Sequence, residues 1–107
     1  MNIQFKKGVL EICVLALLHR KDQYGYELVQ KISSHIAISE GSVYPLLRRL
    51  TKSEYLTTYL QESTEGPPRK YYHLTDEGKK YLFALIEEWD EFTENVEQFI
   101  KEGIANE

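Results

Sequence analysis

The chain has 107 residues, 42% of them hydrophobic and 28% charged, with a formal net charge of −4. These values exclude disordered and fibrous classes and allow one hydrophobic core but not two independent ones. The acid is segregated: 10 Lys and Arg stand against 7 Asp and Glu up to Leu74, and 3 against 10 from Thr75 onward, so a weakly basic front that can bind phosphate locally carries an acidic tail.

Ile3 to Leu18 reads as the first helix. From Val9 to Leu18 only Glu11 is polar, so the helix has almost no polar face and needs cover on most sides. In so small a protein, that much cover points to help from a second subunit. The longest apolar run, Ile12 to Leu18, is far below the ~20 residues that span a bilayer, which argues against a membrane partner. Lys6 and Lys7 precede it as in a signal peptide, but His19-Arg20-Lys21-Asp22 stands where a cleavage site would be. Cys13 is the one cysteine and cannot make an internal disulfide. It reads as a small buried hydrophobe in a reducing compartment, and the chain as cytoplasmic.

His19 to Gln23 is a polar break, with Asp22 a plausible N-cap for a second helix, Tyr24 to Ile32. Leu28, Val29 and Ile32 face inward, and Gly25 in its first turn removes a side chain where backbone needs to come close. Ser33 to Ile38 turns the chain. In the third helix, Val43, Leu46, Leu47 and Leu50 fall at i, i+3, i+4 and i+7, one apolar face. Gly41, Arg48 and Lys52 lie opposite, with Tyr44, Pro45 and Arg49 on the flanks. Either Ser39 or Ser42 can cap this helix. Pro45 costs little if the start is near Ser42, whereas a start at Ser39 leaves the carbonyl of Gly41 without its partner.

Leu56 to Gln61 and Arg69 to Leu74 read as two strands, joined by the turn chemistry of Glu62 to Pro68 into a hairpin, or wing. Thr75 is a good N-cap for a final helix from Asp76 to about Glu102, although Gly78 stands where a capping box would place Glu. Leu82, Leu85, Trp89, Phe92, Val96 and Phe99 are spaced 3, 4, 3, 4, 3, the heptad seam of helices that pack along their length. The fold class is mainly α with a small β hairpin: a winged helix-turn-helix followed by a long C-terminal helix.

Three segments, Tyr24-Gly25-Tyr26-Glu27-Leu28, Ser42-Val43-Tyr44-Pro45-Leu46-Leu47-Arg48-Arg49-Leu50 and Pro67-Pro68-Arg69-Lys70-Tyr71-Tyr72-His73-Leu74-Thr75, resemble the PadR family of bacterial transcriptional regulators in order and spacing. With one long helix after the wing, the chain looks like the family's short subclass. The resemblance implies a homodimeric repressor of double-stranded operator DNA, with the third helix in the major groove and the wing on the backbone or minor groove. It implies a DNA-binding domain over residues 1–74, its first helix shared with the dimer interface, and a dimerisation helix over residues 75–107. The acidity of that helix departs from the pattern, and we assign it to a solvated outer face.

Tyr44 and Arg48 are the leading groove contacts, with Ser42 and Gly41 allowing close backbone approach and Tyr24, Ser39 and Lys52 completing the helical set. The ordinary alternative is a solvated helix face. Arg49 can instead pair with Glu54 or another acid. Arg69 and Lys70 fit phosphates, which add affinity but little sequence information. One of Tyr71 and Tyr72 belongs to the core and the other to the surface. The expected dimer contacts are Val9, Cys13, Leu17, Leu82, Leu85, Trp89, Phe92, Val96 and Phe99. Trp89, with Phe92, could border a slot for a small planar aromatic effector, though an aromatic at a seam position is more often core. His19, His35 and His73 lack metal-site spacing, no cofactor is indicated, and no constellation supports catalysis. The competing class is a winged-helix module that binds another protein and not DNA.

Overall fold

The computed structural model describes the backbone of residues 3–105 and the side chains from residue 8. The order is α1 (Ile3–Arg20), β1 (Gln23–Tyr24), α2 (Gly25–Ser33), α3 (Glu40–Lys52), β2 (Leu56–Gln61), β3 (Arg69–Leu74) and α4 (Asp76–Ile104). The sheet is antiparallel, in the order β1-β3-β2.

Strand β1 is absent from the sequence reading. Its two residues pair with Tyr72 and Tyr71, contacts that no local periodicity reveals. Asp22 accordingly caps nothing: Tyr24 is the N-cap of α2, and its N–H donates to the Glu27 carboxylate at 3.2 Å. The buried Gln23 donates its side-chain amide to the carbonyl of Leu17 at 3.2 Å, in the last turns of α1.

The apolar spacing of the third helix is realised directly. Val43, Leu46, Leu47 and Leu50 are buried, packed with Val14, Leu15 and Leu18 of α1, Leu28, Val29 and Ile32 of α2, and Leu56, Tyr72 and Leu74 of the sheet. Each fully buried side chain of this size contributes about 1.5 to 3 kcal/mol over its exposed state. The start of α3 is settled at Ser39, which is the N-cap, so Pro45 lies inside the helix. Its missing N–H falls at the carbonyl of Gly41, still within the first turns.

At its other end α3 closes with two bonds, Glu54 N–H to Thr51 carbonyl and Tyr55 N–H to Leu50 carbonyl, both 3.0 Å. Glu54 takes φ 66° to make them, the left-handed position usually given to glycine.

Thr75 caps α4 as expected, its Oγ1 accepting from Gly78 N–H at 2.9 Å. Glycine is required at 78 by packing: an added Cβ would lie 2.2 Å from the carbonyl oxygen of Tyr55 and 2.6 Å from Leu74 Cδ1. The first half of α4 lies along α1 and buries Leu82 in the chain's own core. Leu82 therefore stands apart from the other seam residues: at 2% exposure it has no surface left for a second subunit. Leu85 and Ile86 still pack against the core, and farther along the helix Phe92, Val96, Phe99, Ile100 and Ile104 are exposed. Among the described residues, no helix is long and apolar enough to cross a membrane.

Candidate nucleic-acid interface

Three elements meet in an open cleft of about 410 Å³. The start of α2 supplies Tyr24, Gly25 and Tyr26, α3 supplies Tyr44 and Arg48, and β3 supplies Arg69, Lys70 and Tyr72. Gly25 makes this meeting possible. An added Cβ would sit 2.7 Å from Tyr44 Cε1, so the ring of Tyr44 lies across the first turn of α2. Tyr44 is half-buried there, while Arg48 one turn on is exposed. The ring is thus in part a spacer between two helices, a role that its position on one helical wheel does not disclose.

Tyr72 is the core member of its tyrosine pair and Tyr71 is half-buried on the opposite face. Burial, with the neighbouring Tyr44 phenol, pushes the Tyr72 hydroxyl above its ordinary pKa, and Arg48 opposes the shift. On the outer face the register aligns Tyr24, Tyr71 and Tyr59 across three strands. Their adjacent ring centroids are 5.6 Å apart. The guanidinium of Arg69 lies 4.7 Å from the centroid of Tyr24, a cation–π contact that steers an otherwise exposed side chain.

The same face holds a polar clasp. Asp22 accepts from Tyr59 Oη at 2.8 Å through one carboxylate oxygen and lies 2.8 Å from His73 Nδ1 through the other. Burial acts to raise the Asp22 pKa, but these hydrogen bonds and the charge of His73 outweigh it, leaving the carboxyl below its ordinary value. The sequence carried no signal for this clasp, whose members are 37 and 51 residues apart.

Other expected contacts lie along α3. Ser39, Gly41, Ser42 and Lys52 are exposed, and the hydroxyl oxygens of Ser39 and Ser42 are 3.4 Å apart. Among the described residues no packing requires glycine at 41, where an added Cβ would meet Ser39 Oγ at 3.6 Å. Arg49 faces away from the cleft. It pairs with Glu11 of α1 at 3.3 Å and not with Glu54.

The expected interface side chains on α1, Val9, Cys13 and Leu17, are half-buried, as are Leu85 and Trp89 of α4. Cys13 is therefore less enclosed than its apolar neighbours suggest, and burial pushes its thiol pKa up. Trp89 and Phe92, with ring centroids 6.4 Å apart, border a second open cleft of about 400 Å³ whose other walls include Val9, Glu11, Ile12, Leu85 and Glu88.

Comparison with known proteins adds a family and its neighbours. The model of the transcriptional regulator PadR-like family matches residues 14–84. A protein of Lysinibacillus sphaericus is 37% identical over 99 residues, covering 89% of this chain and 91% of that one. The transcriptional regulator YqjI of Escherichia coli is 33% identical over 101 residues, 91% of this chain but only 45% of YqjI. Among solved structures, the PadR-like transcriptional regulator BC4206 of Bacillus cereus superposes with a TM-score of 0.82 at 40% identity, covering 92% of this chain and 97% of its own.

Proposed function

The chain belongs to the PadR-like family of transcriptional regulators, and from that premise we propose that it acts as a dimeric repressor of operator DNA. In this reading α3 enters the major groove, Arg48 and Tyr44 meet base edges, and Ser39, Gly41 and Ser42 let the backbone come close. Arg69 and Lys70 of the wing, with Tyr24 and Lys52, hold the flanking phosphates. The observation that carries the reading is the cleft in which Arg48 of α3 and the wing cations Arg69 and Lys70 converge beside Tyr44. It gathers positive charge on one side of a chain whose net charge is −4.

Dimerisation runs through the apolar sides of α1 and α4, at Val9, Cys13, Leu17, Leu85, Trp89, Phe92, Val96 and Phe99. A planar aromatic effector binds beside Trp89 and Phe92 and lowers operator affinity.

Fluorescence anisotropy on the DNA upstream of the chain's own gene tests the DNA reading. Binding should weaken steeply with salt as condensed counterions are released; no binding at low salt would end the proposal. Arg48→Ala should cost about 1 to 3 kcal/mol on the operator and relax base preference. Arg69→Ala should weaken operator and random DNA about equally. Equal losses for Arg48→Ala would move that residue to the phosphate class. Planar aromatic compounds should quench Trp89, the only tryptophan. A Trp89→Ala variant that the same compound still releases from DNA would place the effector elsewhere.

A further inference from the structure

Glu11 is the single polar residue in the apolar run of α1, and its side chain is only 12% exposed. A carboxylate so placed needs partners, and it finds them on two other helices. The Tyr81 hydroxyl of α4 donates to its Oε1 at 2.7 Å, and Arg49 Nη2 of α3 donates to the same oxygen at 3.3 Å. Burial, followed by the hydrogen bond to Glu11, pushes the Tyr81 hydroxyl up to about 12.

The connection closes on itself. The ring of Tyr81 stacks on Tyr55 with centroids 4.2 Å apart and planes 7° from parallel. Tyr55 is tied to the end of α3 through its N–H to the Leu50 carbonyl at 3.0 Å. Its own carbonyl accepts from the N–H of Thr75, the cap of α4, at 3.1 Å. A continuous circuit thus runs from α3 through Tyr55 and Tyr81 to Glu11 and back to α3 through Arg49.

We infer that Glu11 is a positioning residue for DNA recognition: through Arg49 and Tyr81 it fixes the angle of α3 against α4, and so the separation of the two recognition helices in a dimer. The inference rests on the reading that α4 joins two copies. Arg49 is held behind α3 and is excluded from base reading, although it is exposed and cationic. The circuit is distinct from the hydrophobic packing of α3, which rests on Val43, Leu46, Leu47 and Leu50 and would tolerate a small rotation about that face.

The test measures binding to an operator with its native half-site spacing, to operators with one base pair added or removed, and to an isolated half-site. The quantity read is the ratio of native-spacing to altered-spacing affinity. Glu11→Gln and Tyr81→Phe should each reduce that ratio by about tenfold, the worth of one hydrogen bond to a charged group, and Arg49→Gln, whose ion pair is screened by solvent, by about threefold. Half-site affinity should stay within about twofold of wild type, and Arg49→Lys should restore most of the ratio. If Glu11→Gln fails to fold, Arg49→Gln carries the test, because that side chain is 56% exposed. Folded variants that keep the wild-type ratio would overturn the inference while leaving the repressor reading intact. A wild-type chain that binds DNA with no spacing preference would overturn the dimeric reading and this inference with it.

Discussion

Single residues in this protein do more than their type suggests. Tyr44 lines the cleft, yet its ring is seated against Gly25, where an added Cβ would lie 2.7 Å from it. Asp22 looks like a helix cap and instead clasps the wing through His73 and Tyr59. The clasp has a pH signature. The Asp22 carboxyl is lowered from its ordinary 3.8, so the folded state favours its ionised form. That stability is present above the unfolded value and is lost as pH falls through the folded one. Thermal melts from pH 6 down to about 2 should show a steeper acid loss for wild type than for Asp22→Asn. Parallel curves would mean that the clasp does not couple to folding.

At the scale of elements, the junction between the recognition helix and α4 is the most constrained part of the chain. Glu54 accepts a left-handed backbone so that Tyr55 can turn back onto Leu50. The Tyr55 carbonyl then lies so close to Gly78 that a methyl group has no room. The obstacle is largely backbone, which cannot rotate away as a side chain can. Gly78→Ala should therefore destabilise the fold by about 2 to 3 kcal/mol in urea denaturation, despite alanine's better helix propensity. A neutral result would show that the start of α4 is free to slide. The wing joins this junction through Leu74 and Thr75, so recognition helix, wing and α4 are placed relative to one another by a few neighbouring residues.

For the whole molecule, the governing feature is length. The described chain extends 60 × 27 × 21 Å, a shape set by α4, whose 29 residues span about 43 Å at 1.5 Å per residue. Its distal half offers Phe99 at 72% exposure and Phe92 and Ile100 at 52%. A row of large exposed apolar side chains on one element marks an interaction surface, and the proposed dimer covers it. Phe99→Glu should shift the chain towards monomer in sedimentation velocity and weaken operator binding, while an isolated half-site keeps its affinity. Unchanged association would move the dimer contact to α1 and the proximal part of α4.

The sequence by itself determined what is written in local spacing: the four-residue apolar face of α3, the strands of the wing, the Thr75 cap and the heptad run of α4. Each depends on residues within a few turns of one another, and two of the three family motifs, Ser42 to Leu50 and Pro67 to Thr75, lie in those same segments. The tertiary structure alone decided matters that depend on groups distant in the chain. It paired β1 with β3, assigned Leu82 to the core, joined Asp22 to His73, and gave Arg49 to Glu11, 38 residues away. It also resolved the start of α3 at Ser39, where either serine could cap and the cost of Pro45 pointed to Ser42. The physical reason is common to all of these. Periodicity reports which face of an element is apolar, but the partner of a polar side chain, and the space beside a glycine, exist only once the elements have packed.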